Sequence, residues 1–173
     1  MRLRAHCKQM IDTTDSQIFQ ALGMFITSIL PGVQVFQGQI NRVPSPKGQF
    51  VIMNNVSKAR LAYTENSYTD TDDVQTQNVK ARMQYTMQVD FYGHGAGNNA
   101  QTFVNLINND YAHYAFPDDI KPLVSGEPMQ IPLISGEKQY IERWKVDIKM
   151  QYNPVASVPQ QFFDKAQTTV VPL

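Results

Sequence analysis

The sequence is poor in several things, and each shortage removes a class of function. It holds one cysteine, Cys7, so no disulfide framework and no CxxC metal or redox motif is available. Its charged residues are sparse at 17 % and balanced, with 15 basic and 15 acidic side chains. A zero net charge argues against a dedicated, strongly basic nucleic-acid binder, though a local basic patch remains compatible with it. There is no long apolar run. The longest, ALGMFITSIL, is interrupted by Thr27 and Ser28 and falls far short of the roughly 20 apolar residues that span a bilayer. The basic start, MRLRAHCKQM, has no apolar core behind it, so neither a signal peptide nor a transit peptide is expected. The default compartment is the cytoplasm of the cell that makes the chain.

Catalytic and metal motifs are equally scarce. No GxSxG, P-loop or HExxH occurs, and His6, His94 and His113 lack metal-ligand spacing. If Asp70 opened a calcium loop, Gln75 and Ala81 would stand where glycine and a bidentate glutamate are needed; a solvated hairpin turn at TDTDD is the better reading. Cys7 with a histidine could form a nucleophile pair, but it sits in an unpatterned stretch. Glu137 and Glu142 are expected to be solvated partners of Lys138 and Arg143. No catalytic, cofactor or metal site is predicted.

What is abundant is amide: 18 Gln and 11 Asn, spread through patterned segments. Amides on strand faces bond to other amides without desolvating a charge. That suits surfaces wet in a monomer and buried in an assembly.

Periodicity supplies the elements. Residues 14–30 place Ile18, Phe19, Leu22, Phe25, Ile26, Ile29 and Leu30 on one helical face, with Thr14 and Gln17 as a capping box and Pro31-Gly32 as the stop. VQVFQGQ and QFVIMNNV read as strands around the loop NRVPSPKG, and 58–69 as a weaker extended segment. In the extended stretch 74–92, Met83, Tyr85, Met87, Val89 and Phe91 alternate with Gln84, Thr86, Gln88 and Asp90, the signature of a strand with one buried face. A second helix is predicted over 98–114, capped by Asn98 or Asn99, with Ala100, Phe103, Val104, Ile107 and Tyr111 inward. Residues 120–138 read as irregular chain with short extended pieces. In IERWKVDIKMQY, Trp144, Val146, Ile148, Met150 and Tyr152 face the core, and the outward Lys149 and Gln88 are expected to tolerate substitution. The interleaved aromatic and basic residues of that strand resemble a nucleic-acid-binding strand in outline, but the alternation places Trp144 and Tyr152 inward.

Alternating strands imply an antiparallel or mixed sheet, not a doubly wound parallel one. The expected fold is therefore α+β: one domain over 1–173, a twisted sheet with two main helices on one face, an N-terminal arm over 1–12 and an unpatterned C-terminal tail over 155–173.

GAGNNA, between a strand and a helix, fits the glycine pattern of a dinucleotide-binding turn. That fingerprint needs a buried parallel strand before it and an acid at the end of the next strand. Here the strand is amphipathic, and Asp118 and Asp119 lie in a turn. A strand-to-helix turn that uses glycine for positive φ is the favoured reading.

LPGVQVFQGQINRVPSPKGQFVIM, TMQVDFYG, and PLISGEKQYIERWKVDIKMQYNPV with VPQQFF, in that order and spacing, resemble the neck or tail-terminator proteins of tailed bacteriophages, from about Phe19 to Phe163. The resemblance implies a structural virion protein, not an enzyme. It implies a homo-oligomeric ring, commonly a hexamer, at the top of the tail, assembled in the host bacterial cytoplasm. Such a ring terminates the tail tube, offers a surface to the head-completion or connector protein, and passes DNA through its lumen without engaging a membrane. No catalytic residues are implied. Alternatives are another ring-forming tail or head-completion protein, or a small nucleotide-binding enzyme using GAGNNA. The proline-stiffened loop with Arg42, Pro44, Pro46 and Lys47, and the 58–82 segment with Tyr63 and Tyr68, are the expected subunit contacts.

Overall fold

The computed structural model describes residues 14–39, 46–71, 74–134 and 140–160. Helix α1 spans Asp15–Ile29. Its start follows from the predicted capping box: Gln17 reaches back, and its Oε1 accepts from the Thr14 amide at 2.6 Å. Ile18, Leu22 and Ile26 are fully buried, with Phe25 beside them.

The main sheet runs in the order β1 (Gln34–Gln37), β2 (Phe50–Arg60), β5 (Met83–Tyr92), β10 (Arg143–Tyr152), β6 (Ile120–Ser125), and the short β7 (Met129–Gln130) also pairs with β10. It is mixed: β1 and β2 are parallel, and the other ladders are antiparallel. The alternation of β5 and β10 holds. Tyr85, Met87, Val89, Phe91, Val146, Ile148 and Met150 are buried under α1 and α2, and Trp144 packs against them half-buried. Phe25 meets Phe116 and Phe103 at ring distances of 5.2 and 6.3 Å, so aromatic edges join the helices over the sheet. Pro122 lies in β6, an edge strand, where a missing donor is tolerated.

Four expectations are corrected. The helix over 98–114 is two helices, α2 (Ala96–Ile107) and α3 (Asp110–Ala115). Asn109 ends the run by accepting the Tyr111 amide at 3.1 Å, and the Asn108 side chain leaves to bond Ser125. Tyr111, expected inward, is 51 % exposed as a result. Residues 120–125 form a strand, paired with β10 across a register shift at Lys149 and Met150. The tail after Val155, taken as unpatterned, opens with strand β11 (Val155–Pro159). The extended segments 58–69 and 74–92 are each broken, into β2 and β3 (Glu65–Thr71), and into β4 (Val74–Lys80) and β5. The predicted 1–12 arm and the TDTDD turn's Asp72 and Asp73 lie outside the described residues.

These breaks build an arm. The order β3-β4-β11 repeats β2-β5-β10, because each arm strand continues one strand of the main sheet past a bend. Backbone bonds carry the ladder through it: Leu61 N–H to Arg82 O at 2.9 Å, and Ala81 N–H to Pro154 O at 3.0 Å. The helices pack mainly on β1, β5, β10 and β6. A short pair, β8 (Leu133–Ile134) with β9 (Tyr140–Ile141), completes the strands.

Candidate functional site

The glycine turn is the first place to look for chemistry. β5 ends at Tyr92, and Gly93 and Gly95 adopt positive φ, 96° and 80°. A Cβ on Gly93 would lie 2.7 Å from the Gly48 carbonyl, so the backbone approach itself demands glycine. Helix α2 begins two residues earlier than expected, at Ala96, with Gly95 rather than an asparagine at the N-cap and no side-chain cap of its own.

The cap comes from β10's entry. The Glu142 carboxylate accepts from the Gly95 and Gly97 amides at 3.2 and 3.4 Å and from Trp144 Nε1 at 3.0 Å. A negative group at a helix N-terminus satisfies orphan amides and the helix dipole together. Glu142 is therefore not the solvated partner of Arg143 expected from sequence. Gly97 is needed for packing as well: a Cβ there would sit 2.9 Å from Trp144 Cε2.

This gives the physical reason the turn differs from a phosphate cradle. The amides that would bind an anion already hold a carboxylate. A groove of about 570 Å³ beside them is lined by His94, Gln101, Glu127, Glu142 and Trp144, and its second acid, Glu127, further opposes a phosphate. Among the described residues no group of three or more His, Cys, Asp or Glu could hold a metal ion.

The outer sheet face hides a second constellation. Asp90, expected outward and wet, is 1 % exposed. It accepts from Gln88 Nε2 at 2.7 Å, Asn54 Nδ2 at 3.3 Å, and Arg143 Nε and Nη2 at 3.2 and 3.1 Å. The Arg143 guanidinium lies 5.6 Å from the centre of the Tyr92 ring, which stacks on Phe50 at 4.6 Å. Burial, and then the Asp90 charge, push the Tyr92 phenol above its ordinary value, with Arg143 opposing. The cluster is satisfied and turned inward, which suits rigidity rather than reaction. Gln88 is thus a member of this network and not a free outward side chain.

At the far end of the core, Tyr85 is wholly buried, and among the described residues its hydroxyl has no hydrogen-bond partner. Burial, then the nearby Asp15 carboxylate, push its pKa far above the usual tyrosine range.

The predicted interface residues are dispersed. Arg42 and Pro44 lie outside the described residues; Pro46 is half-buried and Lys47 exposed. Tyr63 and Tyr68 belong to the arm region and are 94 % and 57 % exposed. Sequence reasoning missed a second group of exposed apolar side chains on the far flank, Leu123, Val124 and Met129, at 46, 51 and 62 %. Its signal was present: apolar residues in a proline-containing strand that cannot be central.

No described helix is long and apolar enough to cross a membrane. Comparison with curated proteins returns no match. The family model for the phage neck terminator protein matches residues 16–172, spanning both helices of the core, the whole sheet and the arm, and the chain belongs to that family of phage structural proteins.

Proposed function

We propose that this protein forms a homo-oligomeric ring in the phage neck, of six copies as the family resemblance implies, terminating the tail tube and joining it to the head-completion or connector protein. The family match over 16–172 carries the reading. The architecture supports it: at the glycine turn the Glu142 carboxylate and the Gly95 and Gly97 amides are spent on internal bonds, while aromatic and apolar side chains stand exposed on the arm and at the β6–β7 edge. The ring would be a virion component, assembled in the bacterial cytoplasm, with DNA passing through its lumen. A neutral or acidic lining there would limit sticking to phosphates.

The loop holding Arg42, Pro44, Pro46 and Lys47 is assigned to contacts with neighbouring copies or the tube, together with the arm that displays Tyr63 and Tyr68. Prolines reduce the entropy lost when such a loop docks. The test replaces residues 42–47 with a Gly/Ser segment of equal length. Folding should survive, while ring assembly or attachment of tails to heads fails; normal infectious particles would sink the loop assignment. Electron micrographs of particles lacking the protein test the role itself. Overlong or unjoined tails are expected, whereas normal tails on unfilled or leaking heads would favour a head-completion role.

A further inference from the structure

The arm does little to set its own strand register. None of the described side chains of β4 and β11 is buried. Register is strongly specified where one face of a strand is buried and weakly where neither is. One side-chain bond marks the pairing, Ser157 Oγ donating to Asn78 Oδ1 at 2.6 Å. The main sheet carries the rest. Tyr152 pairs with Met83 at the end of β10, and past the bend Val155 pairs with Lys80, three residues further along each strand. The ladder passes the bend without a shift, so the register of β11 on β4 is that of β10 on β5.

Alternation fixes that register only in part. A slip of β10 by one residue against β5 would turn its apolar face outward, but a slip by two would not. Val146, Ile148 and Met150 would again meet apolar partners, about 7 Å from their present ones. Two contacts at the start of β10 close this gap, one on each side of the sheet. Arg143 holds the buried Asp90 on the outer face at 3.2 and 3.1 Å, beside Gln88 and Asn54. Its chain neighbour Glu142 holds the Gly95 and Gly97 amides on the helix side. A slip by two in one direction would move Asp147 from opposite Gln88 to opposite Asp90 and carry Arg143 away. Two carboxylates would then face each other, one of them buried. A slip in the other direction would leave Arg143 near Asp90 but draw Glu142 off the α2 amides, into the apolar layer opposite Phe91. A buried charge that loses its partners is strongly unfavourable.

We propose that the Asp90–Arg143 pair and Glu142 form a two-way register lock for β10 on β5. Through the unbroken ladder the same lock sets how far β11 reaches along β4, and so where the arm stands on the body. This gives a role to a buried carboxylate on a sheet face whose other acid, Asp147, is exposed. Fixing register is the best-attested use of such buried polar groups.

The experiment reads the register in the arm by oxidation of paired cysteines. In the full chain with Cys7→Ser, Ser157→Cys is combined with Asn78→Cys, its present partner, or with Thr76→Cys or Lys80→Cys, two residues to either side. Residues offset by two across a ladder stand about 7–8 Å apart, beyond the ordinary reach of a disulfide. With the lock intact, only the Asn78→Cys combination should cross-link efficiently. Glu142→Ala should raise the yield of the Thr76→Cys combination severalfold. Asp90→Leu with Arg143→Leu should do the same for Lys80→Cys. Should either variant lose its far-ultraviolet circular dichroism, Glu142→Gln, or Asp90→Asn with Arg143→Gln, takes its place under the same expectation. Cross-linking confined to Asn78→Cys in both lock variants overturns the proposal. So does equal cross-linking of all three combinations with the lock intact, or the two shifts appearing in exchanged directions. The yields are measured on the separated single-chain fraction, so the outcome is independent of the ring reading.

Discussion

Glu142→Ala should be far more damaging than its half-exposed position suggests. The carboxylate holds the Gly95 and Gly97 amides and Trp144 Nε1. Losing an N-cap acceptor costs about 1 kcal/mol. The half-buried indole N–H, stripped of a charged acceptor, adds about 1–2 kcal/mol. Water reaches the site from the adjoining groove and recovers part of this, so the net expectation is about 2 kcal/mol, or roughly 4–8 °C in Tm for a chain of this size. Glu142→Gln keeps an acceptor oxygen and loses only the charge–dipole interaction, about 0.3–1 kcal/mol. Urea denaturation followed by fluorescence measures both, and the readout is local because Trp144 is the chain's one tryptophan. A cost for Glu142→Ala below about 0.5 kcal/mol, or equal costs for the two variants, would refute the capping argument.

Other expectations follow from the same geometry. Tyr85→Phe removes a buried hydroxyl that lies near the Asp15 carboxylate but makes no well-formed hydrogen bond among the described residues, and should leave the fold unchanged or about 1 kcal/mol more stable; a clear loss in a thermal melt would show that the Asp15 contact stabilises the fold. Tyr85, Tyr92 and Tyr152 all have raised pKa values, by burial first. Unfolded tyrosines ionise near pH 10 while these hold their protons, so stability should be full below about pH 10 and fall as pH rises beyond it, less steeply in Tyr85→Phe. Asp90→Ala strands the Arg143 guanidinium and should cost about 3 kcal/mol in denaturant titration, whereas Lys149→Ala, on an exposed position of the same sheet face, should stay within about 0.5 kcal/mol. Calorimetric titration with NAD, FAD and ATP should show no binding at the glycine turn; micromolar binding lost in Gly97→Val would overturn its assignment as a capped turn.

What could be read from the sequence was whatever depends on period. β5 and β10 alternate strictly, so their inner faces and the layer they share with Leu22, Phe25 and Ile26 were legible residue by residue. The first helix was legible because its cap is local, three residues from Thr14 to Gln17. The second helix was misread at both ends for the opposite reason. Its N-terminal acceptor is Glu142, some 45 residues away, and its break comes from Asn108 reaching across to Ser125. Asn108-Asn109-Asp110 did carry a local warning, three cap-forming residues in a row, which the continuing apolar spacing to Tyr111 masked. Asp90 was misassigned because period two reports only which face a side chain is on. Whether that face is wet depends on Asn54, Gln88 and Arg143 converging from three strands.

The arm shows how a weak sequence signal can be informative. Residues 58–69 and 74–80 lack the strict alternation of β5, and from sequence they read only as weakly patterned extended chain. They are regular strands all the same, because each inherits its pairing from a neighbour that continues a core strand: Glu65–Thr71 on Val74–Lys80, and Val155–Pro159 on Thr76–Lys80. A strand that must cover a core on one face shows alternation; one with both faces outward need not. Charge sits at the ends of the arm strands, Glu65 and Asp70 in β3 and Lys80 in β4, while their middles are built from Asn, Gln, Ser, Thr, Tyr and Val.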